Sequence, residues 1–404
     1  MRNTLKLIFL MIISPNCIAQ IGCTDTYATN YNMTATTNNG SCIYNYVSVI
    51  PLNSVSLSSQ LIESSGLIEW NGFLYTHNDN SDTSLYKLNK ITGQIVETIA
   101  LNSIENIDWE EISQDDNYIY IGDFGNNTSG NRTNLKIYKI AKSSLNSNPI
   151  IETINFSYAN QIDFSVQSAN NTNFDCEAFV ITNTEILLFT KQWLNNQTSV
   201  YSLPKTAGIH SANLLTTINV NGLITGATQK TDSRLIALSG YSSTLQPFIF
   251  LLYDFFNTDF NNANKRKIEI SLPLHQVEGI STINGKDYYI SNESFIQTPF
   301  INNPQKLHTL TISNYINDYL NLLSVNSNEN SSPNDLIAPN PTSDEIYFNS
   351  DNNLNKYYQI FNVFGQLIQS GIINENKINF AKFQNGIYFL KIENNYNFIR
   401  VIKN

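Results

Sequence analysis

Short apolar runs, cut by turns rich in Asn, Asp and Gly, recur from about Ser65 to Ile312. The stretch "DWEEISQDDNYIYIGDFGNN", Asp108 to Asn127, shows the unit: two apolar runs about a polar turn, with carboxylates opening the first and Asp, Gly and Asn closing the second. Looser copies are "SGLIEWNGFLYTHND" from Ser65, "CEAFVITNTEILLFTK" from Cys176, "TGATQKTDSRLIALSG" from Thr225 and "VEGISTINGKDYYISNE" from Val277. Aligned on Gly66, Glu111, Ala178, Gly226 and Gly279, they stand 45, 67, 48 and 53 residues apart. Periods of that size belong to arrays and rings of repeated units.

Each period reads as four strands. In the first they are "SGLIEW", "GFLYTHN", "SLYKLNK" and "QIVETIAL", separated by Asn-Gly, Asn-Asp-Asn-Ser and Thr-Gly turn signals. Ile, Leu, Tyr and Val dominate, as in strands, and no helical period interrupts them. Four strands per repeat without a helix fit the blade of a β-propeller. The predicted architecture is therefore all-β: a five-bladed propeller, with six blades as the alternative because the long second period has room for irregular strands. The fifth repeat has only three strands, "VEGISTI", "KDYYISN" and "KLHTLTI". The missing one is expected at the start, in "VSVIPLNS" from Val47 to Ser54, which echoes "VETIALNS" from Val96 to Ser103. Such a strand closes the ring.

The 404 residues carry a net charge of −10, which disfavours nucleic acid as a partner because phosphates require a basic footprint. Residues 1–19 read as a secretory signal peptide, with Arg2 and Lys6 before an apolar core and Ala19 at its end. Cys17 raises a lipoprotein alternative, with Ser14, Pro15 and Asn16 making a poor lipobox. No other stretch is apolar and long enough to span a membrane. In an oxidising compartment Cys23 and Cys42 are expected to pair across a short module, residues 20–46, that cannot build its own core. Cys176, in an apolar strand, reads as a small buried hydrophobe. The propeller is assigned to 47–321, a flexible polar linker around "SVNSNENSSPND" to 322–336, and a small C-terminal domain to 337–404.

Both ends carry resemblances. "GCTDTYATNYNMTATTNNGSC" resembles a short module of secreted marine and flavobacterial proteins, with Asn39 in place of its usual Asp. The last 68 residues, with Pro339, Asn340 and Pro341, Asn362 and Gly365, Gly386, Ile387 and Tyr388, and Lys403, resemble the type A sorting domain of the type IX secretion system of Bacteroidota. That likeness implies export through the outer membrane, recognition by the type IX machinery and its sortase, and surface attachment or release. The segment also reads independently as a small β-sandwich, with Gly365 and Gly386 at turns that favour a left-handed backbone.

In a propeller, the start of each first strand and the end of the next lie on one face. Asp108, Glu110 and Glu111 should therefore share a rim with Asp123, Asn126 and Asn127. Asp175 with Glu177, Glu278 with Asn292 and Glu293, His77 with Asn78 and Asp79, and Lys191 join them. A convergence of carboxylates calls for a compensating cation, and oxygen ligands suit Ca²⁺, expected at Glu110, Glu177 and Glu278. The competing reading is that these side chains cap turns or hold backbone amides of the adjacent blade. Trp109 reads as packing. No nucleophile elbow, zinc-protease motif or phosphate loop is present. Two functions remain: a surface or secreted protein binding an extracellular ligand, or a Ca²⁺-dependent hydrolase of esters, lactones or phosphoesters, with Glu110 or Glu177 activating water. The second resembles six-bladed Ca²⁺-dependent lactonases and esterases in architecture alone. A purely structural or adhesive module is a third.

Overall fold

In the computed structural model, residues 20–230, 233–327, 337–348, 354–363, 366–392 and 398–404 are described. The signal peptide and Gly365 lie outside them, as do residues 328–336 of the linker. The chain divides into two units, residues 1–317 and 318–404.

The first unit is built around five four-stranded antiparallel sheets, the second and third joined edge to edge where Ile154–Tyr158 pairs parallel with Gly208–Ala212. The first sheet comprises Ser64–Trp70, Phe73–Asn78, Ser84–Leu88 and Ile95–Ala100. The second comprises Trp109–Gln114, Tyr118–Asp123, Lys136–Ala141 and Ile151–Tyr158. The third runs from Cys176–Ile181 and Glu185–Thr190 to Gln197–Pro204 and Gly208–Asn219. Leu223–Lys230, Leu235–Tyr241, Pro247–Tyr253 and Asn264–Ile270 form the fourth. The fifth takes Val277–Ser281, Asp287–Asn292 and Lys306–Thr311 from the end of the unit and Asn53–Ser56 from its start. The five first strands neighbour one another in a closed cycle, the arrangement of a propeller.

Strand alternation builds the cores. Side chains at successive positions point to opposite faces of a sheet, so Tyr120 packs toward the third sheet with Phe179 and Leu188, while Ile119 and Ile121 pack toward the first with Ile68 and Leu85. The core of a propeller is thus a series of wedges between sheets. The Asn-Gly signal works as read: Asn71 and Gly72 both have positive φ, 49° and 80°, and join Trp70 to Phe73 in a tight hairpin.

Ring closure occurs where expected but with a different share of the segment. Asn53–Ser56 pairs antiparallel with Lys306–Thr309, and Ser54 Oγ lies 2.7 Å from His308 Nδ1. Ser48–Val49 instead extends the fourth sheet, parallel to Glu269–Ile270. Pro51 and the exposed Leu52 carry the chain from one sheet to the next. The extra length of the second period holds no strand between Tyr158 and Cys176. Those residues form a loop laced to the loop after Asp123, with Asn170 N–H donating to the Asn127 carbonyl at 2.8 Å.

Other differences concern local pattern. Ser313–Ser327 is a helix, α1, where the sequence reads as the end of the ring and the start of a linker. Ile316, Tyr319 and Leu320 make a buried stripe at helical spacing that the surrounding Asn and Ser obscure. Cys23 and Cys42 form the expected disulfide, and Cys176 is buried and free. The N-terminal module seats on the fourth sheet, where Tyr253 donates to Asp25 and the Arg266 guanidinium stacks on Tyr27, Tyr44 and Tyr315.

The second unit contains a three-stranded sheet of Ile337–Ala338, Glu345–Phe348 and Lys377–Asn379, and a four-stranded sheet of Leu367–Ile372, Tyr357–Asn362, Gly386–Ile392 and Phe398–Lys403. One core, including Ile346, Ile360, Phe380, Leu390 and Val401, unites them. Asn340 clamps the last strand with both ends of its amide, donating to Arg400 O at 2.7 Å and accepting from Ile402 N–H at 2.9 Å. Tyr388 packs on Phe380 and Phe383 and donates to Gln384 O, while Lys403 is buried. Gly386 is not left-handed; it is extended strand in register with Lys403.

Candidate functional site

Every first strand of the ring carries a register break near its start. Gly122 pairs with Glu111 and Asp123 with Trp109, which leaves Glu110 unpaired. Glu177 is skipped between Cys176 and Ala178, Thr225 between Ile224 and Gly226, and Glu278 with Gly279 between Val277 and Ile280. The break in the first sheet falls between Ser65 and Ile68. A bulge frees a residue from the ladder and re-aims its side chain. Three glutamates and one threonine therefore occupy corresponding places at one end of the ring.

These glutamates are deeply buried and electrostatically joined. Glu110, Glu177 and Glu278 are 5%, 2% and 6% exposed. Burial, then the charges of Glu177, Asp108, Asp175 and Asp79, push the Glu110 carboxyl well above the carboxylate range. Glu177 is raised by burial and shares hydrogen bonds with Glu110 and Asp175. Asp79 is pushed up to about 7 by burial and then Glu293, Glu63 and Asp108, and Asp108 to about 6 by burial and then Asp175. Glu293 is raised as well, by burial and Glu63 against the pull of Lys191.

The cation inside this cluster is Lys191. Its Nζ stands 3.1 Å from Glu177 Oε1, 4.8 Å from the centre of the Trp193 ring and 5.4 Å from that of Tyr241. Glu177, Tyr241, Glu278 and Asp175 hold its pKa well above the usual lysine value against the opposing effect of burial. Gly125 supplies the room for two of the acids: a Cβ there would collide with Glu110 Oε1 and Asp108 Oδ2.

Other predicted residues hold the ring together. Glu111 accepts from the amides of Ile112 at 2.9 Å and Ala227 at 2.6 Å, and from Leu67, so it ties the first, second and fourth sheets. Burial pushes its carboxyl up, while those amides pull it down. It is the one large residue among the aligned positions, and Gly66 (φ 59°) leaves space for its Oε1. Asp175 accepts from the Asn126 amide and from Trp193 Nε1 at 2.8 Å. Asp123 is paired with Arg132 at 2.8 Å through Oδ1. Buried His77 packs edge-on to Trp109, and burial lowers its pKa to about 4. Asn292 accepts through Oδ1 from His308 Nε2 at 2.8 Å and donates through Nδ2 to Glu293 O and Pro304 O, and Asn127 bonds Thr128 and Asn170, outside the cluster. Trp109 is fully buried packing.

Glu110, Glu177 and Glu278 lie at the same end of the ring but do not form a metal-holding group: among the described residues no set of three or more His, Cys, Asp or Glu does. Sequence reading missed Arg132, Trp193 and Tyr241. Tyr241 ends the second strand of the fourth sheet, the place held by Asp123 in the second, so repeat alignment carried its signal. Arg132 lies on an unrepeated loop and had none.

Residues 336–403 match the model of the secretion system C-terminal sorting domain. This segment is a sorting domain. It marks the chain for type IX export to the cell surface or medium, and so for contact with the secretion machinery. No helix among the described residues is long and apolar enough to cross a membrane. No curated protein matches the chain. Among solved structures, the PQQ-bound aldose sugar dehydrogenase of Streptomyces coelicolor is 8% identical with a TM-score of 0.40, covering 65% of this chain and 98% of that one. The WD40 repeats of RRP9 are 9% identical with a TM-score of 0.36, covering 66% and 100%. PorZ, a bacterial surface component of the type IX secretion system of Porphyromonas gingivalis, is 8% identical with a TM-score of 0.30, covering 84% and 45%. No ligand or activity is carried over from these weak likenesses.

Proposed function

We propose that this exported protein binds an extracellular ligand at the carboxylate end of its ring. The observation that carries the reading is the bulge placement of Glu110, Glu177 and Glu278, which withdraws three acids from the ladder at one end of the ring, Glu177 paired there with the buried Lys191. A bulge turns a side chain out of the ladder, and in three of the five sheets the residue so turned is a glutamate. In this reading residues 1–19 lead the chain into the periplasm of a Bacteroidota cell, and the type IX sortase removes the sorting domain before attachment or release. Glycan and peptide arrays with the mature protein test the binding. Binding weakened by Glu110→Gln or Glu177→Gln supports it, and silence on both arrays alongside turnover of an ester refutes it.

Hydrogen bonding of Glu177 with Glu110 and Asp175 favours a second reading, a hydrolase in which Glu110 or Glu177 takes a proton from water. Among the described residues no group of three or more His, Cys, Asp or Glu is placed to hold a metal ion, so Ca²⁺ enters this reading only through the comparison with chelator. Ester, lactone and phosphoester turnover, with and without chelator, decides it: loss of turnover in Glu110→Gln and Glu177→Gln supports the role, and no turnover removes it.

A further inference from the structure

We infer that the carboxylate end of the ring takes the primary ammonium group of an organic amine, held by Glu278 beside Lys191. This rests on the proposal that this end is a ligand site, and it names the ligand chemistry.

Glu278 is the most deeply buried of the acids that have no hydrogen-bonded or ion-paired partner among the described residues. Glu111 and Asp175 spend their oxygens on backbone and indole N–H groups, Asp123 is paired with Arg132, and Glu177 is paired with Lys191. The Glu278 carboxylate, 6% exposed, makes no hydrogen bond among the described residues. The charged groups that act on it are Lys191, Glu293, Glu177 and Asp79, so it faces into the cluster. Burial, and then Glu293, Glu177 and Asp79, push the Glu278 carboxyl well above the carboxylate range against the pull of Lys191, so one lysine does not compensate all the acids. A buried carboxylate of this kind is stabilised by a second cation.

The enclosure itself indicates which cation. It already holds one alkylammonium, Lys191, by a carboxylate oxygen and two aromatic faces. A ligand ammonium offers three donors on a compact charge, and carboxylates at different angles can accept them singly. Ca²⁺ needs six to eight converging oxygens, and no three acids here converge as metal ligands. A guanidinium gains most from a coplanar two-point carboxylate contact, which nothing in the enclosure prepares. Asp79 and Glu293, less buried than Glu278 and among the charges that act on it, would draw a cation inward.

Calorimetric titration of the mature protein with 1,5-diaminopentane, CaCl₂ and a neutral oligosaccharide tests the assignment. The expected result is saturable heat with the diamine, at least about tenfold weaker in Glu278→Gln, whose thermal unfolding confirms its fold. Should that variant not fold, Glu278→Asp keeps the charge while withdrawing it, and should weaken the diamine in the same sense. Saturation by Ca²⁺ with the diamine silent would overturn the amine assignment, as would diamine binding that neither variant changes. Oligosaccharide binding with the diamine silent would overturn it too, yet leave the ligand-site proposal standing. Silence toward all three, joined to silent arrays, would end both.

Discussion

At the scale of single residues, the same acid type does two different jobs within two positions of one strand. Glu111 stays in the ladder and gives its oxygens to amides of three sheets, whereas Glu110 is displaced by the bulge into the cluster. Position relative to the bulge decides the role. Gly125 is the complementary feature, since only a residue without a Cβ lets Asp108 and Glu110 approach its backbone. Gly125→Ala should therefore push both carboxylates out of place and weaken ligand binding about tenfold or more, roughly 1.4 kcal/mol in binding free energy. Its thermal midpoint should change much less than its affinity. Parallel calorimetry and thermal unfolding check this, and unchanged affinity would remove Gly125 from the account.

At the scale of elements, the ring depends on a strand from the far end of its sequence. Without Asn53–Ser56 the strand Lys306–Thr311 is an open edge that can pair with another molecule. A chain beginning at Leu57 should unfold at lower temperature and form dimers or larger species, read by light scattering after size exclusion. A monomer as heat-stable as the parent would contradict the closure. The sequence made this contact legible because the fifth repeat lacked a strand and "VSVIPLNS" echoed an outer strand. It did not reveal the division of that segment between two sheets, which depends on where the chain turns. The end of the ring carrying the acids was also legible, because hairpin geometry fixes where a first strand starts and a second one ends. The bulges were not, since a skipped residue leaves apolar alternation nearly intact on either side. Nor was α1, whose buried positions lie among Asn and Ser that otherwise mark loops.

At the scale of the whole molecule, the acid cluster sets the pH dependence of stability. Carboxyls raised in the folded state bind protons there that the unfolded chain has already released. Stability is thus greatest below the unfolded value near 4 and is lost as pH rises through the folded values, about 6 for Asp108 and about 7 for Asp79. Buried His77 and His308, lowered to about 4 and about 3, act in the opposite sense, but only below about 6.5. The thermal midpoint should therefore fall between about pH 6.5 and 8, and Asp79→Asn should flatten that slope; a midpoint that rises across this window would be the wrong sign. Export is carried by a different part of the chain, since the sorting domain has two sheets and a core of its own. Deleting residues 337–404 should leave a folded ring in the periplasm, as fractionation of a flavobacterial host would detect, whereas surface delivery of the truncated protein would contradict it. The central claim is that the clustered acids serve a ligand while Glu111 serves the fold, and thermal unfolding of Glu278→Gln beside Glu111→Gln at pH 8 tests it most directly. Glu111→Gln should lose about 1–3 kcal/mol, because an amide donor of the ring is left facing another donor. Glu278→Gln should be as stable as the parent or more so, having shed a buried carboxyl that burial and its acidic neighbours make costly to ionise; a loss equal to that of Glu111→Gln would show instead that Glu278 belongs to the fold.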